Sequence, residues 1–423
     1  MISRTSHGAR MPGRVVALGL AAVVAGTLAV TEVAFGATTT EGGVTASAAA
    51  PDASTGVADV GWATRSGGTT GGAKAAPAQI YTVSTRSQLL AALAGTDPKT
   101  GKTNKTAPKI IRWVGAIDMT EGRPFANHAD QAKRAEIKLH PNTTIIGVGS
   151  AAYLPNGWFK VSKVDNVIIR NIKITNPCDL APKWDSGDGA GNYNSEFDGM
   201  TVDGSTHVWI DHLWFTDAPY TDNLQPFGNK DKLGVAKRVQ CHDGSLDIKN
   251  ASDFVTVSNT IFESHDKNTL VGQSDKNAID EGHQTISFIG NLYRNVGQRA
   301  PRVRFAMLHT ANNYFVGSKT HPVYPHGYSI GTGLKSKIIS ENNVFEVTGA
   351  AAGSCAAVVK NPNPANPEGS LRDTGSLVNG APLTGCTAPS AVGWSLPSGY
   401  PYPKVPAAQV KERVLAAAGV GRI

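Results

Sequence analysis

From Asn142 onward the chain repeats one pattern of apolar and polar positions. A run rich in β-branched residues is followed by Asn or His, two further residues and an apolar one. It occurs as Val167–Ile174 (VIIRNIKI), Val208–Phe215 (VWIDHLWF), Val255–Phe262 (VTVSNTIF), Ser287–Tyr293 (SFIGNLY), Leu308–Phe315 (LHTANNYF) and Ile338–Phe345 (IISENNVF). Aligned on Asn171, His212, Asn259, Gly290, Asn312 and Asn342, the intervals are 41, 47, 31, 22 and 30 residues. The interval of 22 reads as one bare repeat, and the longer ones as repeats carrying loops. Periods of this size point to a solenoid. β-Branched alternation without a helical period favours strands over a helix in each repeat. The predicted architecture is all-β, a single-stranded parallel β-helix with long loops, each coil burying its apolar face on the next about 4.8 Å away.

The recurring Asn171, Asn259, Asn312 and Asn342 are predicted to be structural, stacking coil on coil to satisfy turn backbone groups. His212 occupies the same frame and is read as structural too. Ser87–Leu93 (SQLLAAL) predicts a short helix capped by Ser84 or Thr85, and Ile110–Val114 a buried strand. After Val347 the repeat is no longer visible, and Pro, Gly and Ala dominate. Residues 347–423 are therefore expected to form a layer of loops on the solenoid, ending in a helix over Gln409–Ala418. The solenoid itself is placed at 61–346.

The N-terminus has a different pattern. Arg4, Arg10 and Arg14 precede the 16 apolar residues Val15–Val30, and small residues follow at Ala34–Ala37. This predicts a secretory signal over 1–36, too short in its apolar core for the roughly 20 residues of a membrane span. Residues 37–60, rich in Thr, Ala, Ser and Gly, read as a flexible leader. Loss of the signal removes three Arg and one Glu, taking the net charge from +7 to +5. The remaining Lys and Arg are scattered without a long run. In an exported chain this favours an acidic polysaccharide as partner over nucleic acid or membrane. The four cysteines Cys178, Cys241, Cys355 and Cys386 form no CxxC pair. Their even number favours disulfides; nearness in sequence pairs Cys178 with Cys241 and Cys355 with Cys386, although three connectivities are open.

The chemistry concentrates in Cys241–Asp275 and Gln298–Phe305. The first carries Asp243, Asp247 and Lys267; the second carries Arg299, Arg302 and Arg304. Stacked coils bring residues 20 to 30 positions apart to within about 5 Å, so Asp198, Asp243, Asp247, Lys267, Arg299 and Arg304 can share one groove. Asp243 and Asp247 would lie about 13 Å apart along a straight strand. They can share an ion only across a bend, which Gly244 would permit. Oxygen-only ligands favour Ca²⁺ over Zn²⁺. Clustered arginines suit carboxylate recognition, with Pro301 as the bend that would let Arg299 join Arg304.

These motifs resemble pectate lyases of polysaccharide lyase family 1 over roughly residues 61–347. The resemblance is carried by Ile145–Ser150 (IIGVGS), Val167–Asn171 (VIIRN), Val208–His212 (VWIDH), Asp243–Asp247 (DGSLD), His265–Lys267 (HDK) and Arg299–Phe305 (RAPRVRF). It implies a right-handed parallel β-helix. It further implies calcium held by Asp198, Asp243 and Asp247, with Glu196 where some members place another acidic ligand. Lys267 and Arg304 would bind substrate carboxylate, Arg299 would be the catalytic base, and Arg302 is left without a role.

The implied reaction is β-elimination on α-1,4-polygalacturonate by a secreted monomer. Arginine normally stays protonated, so Arg299 would act as a base only while neutral, which its cationic surroundings and an alkaline pH would favour. The nearest rival is a pectin lyase acting on methylated substrate without calcium, whose pattern lacks the full aspartate set and the HDK lysine. A β-helix hydrolase would need a pair of catalytic aspartates, and a non-catalytic polysaccharide-binding β-helix would need neither Arg299 nor Lys267.

Overall fold

The structure, a computed structural model, describes residues 56–423. The signal and most of the leader lie outside them. Residues 56–60 lie inside, and Ala58 and Val60 pack against the buried cluster of Ala63, Ile168 and Trp209.

Three sheets of ten, nine and eight strands form the solenoid, parallel except for the last pair of the nine-strand sheet, and from Thr143 to Lys360 each coil supplies one strand to each in turn. This is the parallel β-helix expected from the repeat, with the right hand implied by the resemblance. Registers are in phase from coil to coil: Val208 pairs with Val167 and Val255, and Phe215 with Ile174 and Phe262. The apolar residue three places after the repeat's Asn therefore meets its own counterpart in the neighbouring coil. Phe215, Phe262, Tyr293, Phe315 and Phe345 form a continuous stack with ring centroids 5.3, 5.0, 4.6 and 4.4 Å apart. Aromatic burial of this kind is a leading source of solenoid stability.

At the repeat's polar position Asn171 does satisfy turn backbone as predicted, its Nδ2 donating to Gly147 O at 2.8 Å and Gly149 O at 2.7 Å. The position is nevertheless selected by its backbone conformation. Asn171, His212, Asn259, Gly290, Asn312 and Asn342 all have positive φ, between 45 and 69°. The left-handed turn between sheets is why Asn, His and Gly recur there. The stacked ladder lies one residue later. Backbone N–H groups of Thr260, Asn291 and Asn313 donate to the side-chain oxygens of Asn291, Asn313 and Asn343, each at 2.9 Å, and Asn343 N donates to Ser376 Oγ.

The solenoid also continues past 346. Val359–Lys360, Ser370–Thr374 and Leu377–Val378 build one more coil on the strands Ile330–Thr332, Lys337–Glu341 and Val344–Thr348. Gly375 takes the left-handed place, with φ 77°. The rest of the tail is mostly irregular, with a helix over Ala407–Ala417 whose Val410 and Val414 pack on Leu292, Tyr314 and Val344. The early helix spans Arg86–Leu93, and Thr85 caps it through Gln88 N. A second helix, His128–Ala135, capped by Asn127, was not anticipated. Both disulfides follow the pairing by nearness, Cys178–Cys241 and Cys355–Cys386. Among the described residues no helix is long and apolar enough to cross a membrane.

Candidate active site

The candidate residues gather along the eight-strand sheet and the bends that lead into it. Asp198 lies just ahead of the strand Met200–Asp203, Asp243 ahead of Leu246–Lys249, and Asp247 inside that strand. Lys267 ends the strand Ile261–Lys267 of the neighbouring sheet, while Arg299 and Arg304 flank Arg302–Val303. Alternation sorts the side chains. Met200, Val202, Leu246, Ile248, Val271 and Val303 fill the core. Thr201, Asp247, Leu270 and Arg302 form the register column between them, facing the other way.

The carboxylates are crowded. Asp198 and Asp247 are buried. Asp198 Oδ1 accepts from Gly244 N at 3.1 Å, its Oδ2 accepts from Thr201 Oγ1 at 2.8 Å, and Asp247 Oδ1 accepts from Leu270 N at 3.1 Å. The chain has no regular structure from Val239 to Ser245, so the bend needed between Asp243 and Asp247 is present. Gly244 serves it by lack of bulk. A Cβ there would stand 2.7 Å from Asp247 Oδ1 and 2.9 Å from Asp198 Oδ1.

Burial and then the Asp198 charge push the Asp243 carboxyl up to about 6, against the pull of Arg299, Lys267 and Lys249. Burial and Asp198 likewise push Asp247 well above the usual carboxylate range. Lys249 is the cation among them: burial lowers it, but Asp198, Asp247 and Asp243 together raise it above its ordinary value. Its Nζ lies 3.7 Å from Asp198 Oδ2. Like charges held together in a partly dry site fit a divalent cation with hard oxygen ligands, which would relieve the repulsion.

The cationic side is arranged differently. Arg304 is buried and fixed, with Nε 2.6 Å from Asp275 Oδ1 and Nη1 donating to Gly272 O at 3.0 Å. Lys267 Nζ approaches Asp188 Oδ2 at 3.9 Å. The Ala300–Pro301 peptide is cis, so the chain turns at Pro301 as expected, and Arg299 beside it has φ 60°. The buried Nε atoms of Arg299 and Arg302 have no hydrogen-bond partner among the described residues. Burial and the neighbouring Arg304 charge lower Arg302 to about 10. Glu196 turns elsewhere: its carboxylate lies 3.1 Å from His128 Nε2.

Comparison with known proteins gives the chain's family. A family model described as pectate lyase matches residues 17–423. Pectate lyase E of Dickeya chrysanthemi is 43% identical over 337 residues, covering 78% of each chain. The pectate lyase of Bacillus subtilis (strain 168) is 35% identical over 408 residues, covering 86% of this chain and 92% of its own. This chain belongs to the pectate lyase family. Among solved structures, the thermostable pectate lyase PL 47 superimposes with a TM-score of 0.77 at 33% identity, covering 88% of this chain and all of that one. A pectate lyase bound to a hexasaccharide gives the same values. The chain is accordingly an enzyme of the polysaccharide lyase class.

Of the residues named from sequence, Asp198, Asp243, Asp247, Lys267 and Arg299 form one electrostatic neighbourhood, and Arg304 lies at the far end of the strand Arg302–Val303 that Arg299 precedes. Sequence reasoning missed Lys249 and Asp275. Lys249 was within reach, because it stands two residues after Asp247 on a strand and so shares its face. Asp275 follows the strand Thr269–Val271 in an irregular stretch, and no spacing rule ties it to Arg304.

Proposed function

We propose that this pectate lyase family member is a secreted, calcium-dependent pectate lyase, cleaving α-1,4-polygalacturonate by β-elimination. The observation that carries the reading is the crowding of Asp198, Asp243 and Asp247 beside Arg299 and Lys267. Asp198, Asp243 and Asp247 would hold calcium; Glu196, paired with His128, could join a further ion only by leaving that partner. Bound there, calcium would withdraw charge from the uronate carboxylate and so acidify the proton at C5.

The chain's own residues supply the rest. Lys267 and Arg304 bind the substrate carboxylate, and their charge stabilises the enolate-like species as it forms. Asp275 and Gly272 O hold the Arg304 guanidinium in place for this. Arg299, while its guanidine is neutral, takes the C5 proton. The C5–H electron pair becomes the C4–C5 double bond, the C4–O4 bond breaks, and the departing O4 takes a proton from water, leaving an unsaturated non-reducing end. The basic N-terminus with its apolar run and the two disulfides support export. The partner is an acidic polysaccharide, met by a monomer without nucleic acid or membrane.

Ultraviolet absorbance of the conjugated product tests the reading. With polygalacturonate and calcium it should rise steadily, fastest at alkaline pH. Activity confined to fully methylated pectin and indifferent to a chelator would instead establish a pectin lyase.

A further inference from the structure

Of the three proposed calcium ligands, Asp247 alone stands on regular backbone. Asp247 lies within a strand paired on both sides. Asp198 precedes a strand, and Gly199 N donates to Gly244 O at 2.8 Å beside it. Asp243 has no such support, because it sits in the irregular corner before Leu246. Among the described residues, the one backbone hydrogen bond made by residues 241–243 is Asp179 N to Cys241 O, at 2.7 Å.

What holds the corner is a set of ties to one neighbouring segment, 177–179. Cys241 is bonded to Cys178. His242 Nδ1 lies 3.1 Å from Pro177 O, and its Nε2 lies 2.9 Å from Tyr220 O. The segment is itself anchored, since Gln131 Nε2 donates to Cys178 O at 2.9 Å and Asp179 Oδ2 accepts from Glu196 N at 3.0 Å. The disulfide, the imidazole and the Asp179 amide thus fix the two residues, Cys241 and His242, that lead into Asp243. Cys355–Cys386 lies far along the solenoid, in the last coil and tail, and touches none of this.

We infer that the Cys178–Cys241 disulfide and His242 are positioning groups for Asp243, and that they set the calcium affinity of the groove rather than merely the stability of the fold. Groups that orient metal ligands typically account for about 10- to 100-fold in affinity. The inference rests on the calcium reading proposed above. It also makes calcium binding sensitive to the thiol–disulfide state of this one bond.

Calorimetric titration of calcium into the full mature protein, without substrate, tests it. Cys178→Ala/Cys241→Ala should bind calcium at least ~10-fold more weakly than wild type. Cys355→Ala/Cys386→Ala should keep the wild-type dissociation constant even if its melting temperature falls. His242→Gln leaves both disulfides in place and should also weaken calcium binding, which keeps the test open if the double variant does not fold. Wild-type affinity in the Cys178/Cys241 variant, or in His242→Gln, overturns the positioning role while leaving the calcium reading intact. No calcium binding by the wild type overturns the calcium reading, and this inference with it.

Discussion

Asp211 and Asp247 are both buried aspartates on outward positions of the same solenoid, on different sheets, and they answer burial in opposite ways. Asp211 is enclosed by partners. Its Oδ2 lies 2.6 Å from His212 Nδ1 and accepts from Arg170 Nε at 2.9 Å. Its Oδ1 accepts from Ser258 Oγ at 2.6 Å and Asn259 Nδ2 at 3.1 Å. Burial alone would raise its carboxyl, but His212 and Arg170 hold it below the usual range. Asp247 has two carboxylates for neighbours, and burial with Asp198 drives it upward. The VWIDH face is thus complete in itself, and the groove is complete only with a ligand. Buried charge that the protein satisfies is architecture; buried charge left unsatisfied marks a site where function is traded against stability.

The contrast can be broken from either side. Arg299→Lys, on the unsatisfied side, should lower kcat/KM on polygalacturonate by about 10²- to 10⁴-fold with the melting temperature nearly unchanged; initial rates and thermal scans give both numbers. Asp211→Ala, on the satisfied side, should do the reverse. It strands Arg170 and His212 and should cost about 3–5 kcal/mol of stability in denaturant unfolding, with calcium affinity preserved. Asp247→Asn should make the calcium-free protein more stable, by about 1 kcal/mol, while weakening calcium binding. A loss of stability there would place Asp247 in the same class as Asp211.

A smaller effect concerns pH. His265 is fully buried; burial lowers its pKa, but the Asp217 carboxylate at 2.6 Å overrides this and takes it to about 9. A folded value above the unfolded one of about 6.5 means that its contribution is complete below that value and is lost as pH rises through 9. The stability of wild type relative to His265→Gln should therefore decline between those limits. Taking the difference cancels Lys109, which burial lowers to about 8 and which acts in the opposite sense. A difference that does not change with pH would remove the charge from His265.

Much of the fold was legible because a solenoid writes its geometry as periodicity. The aromatic stack is visible as the apolar residue three places after each Asn. The ladder at Asn291, Asn313 and Asn343 was misplaced by one residue because sequence does not display φ, and both positions are rich in asparagine. The last coil was overlooked because Gly375 replaces Asn, although Gly290 had already shown that glycine fits the frame. In the site, the aspartates, Lys267 and the arginines were recoverable from motif and coil spacing. The Asp275 anchor of Arg304 and the Pro177 and Tyr220 carbonyls around His242 were not, because irregular segments meet there without a repeat.

The central claim is that the groove's crowded carboxylates form a calcium site. Calorimetric titration of calcium into wild type, Asp247→Asn and Asp211→Ala tests it most directly. The account predicts saturable binding by wild type and by Asp211→Ala, and binding weakened or lost in Asp247→Asn. Equal binding by wild type and Asp247→Asn, or none by wild type, would contradict it.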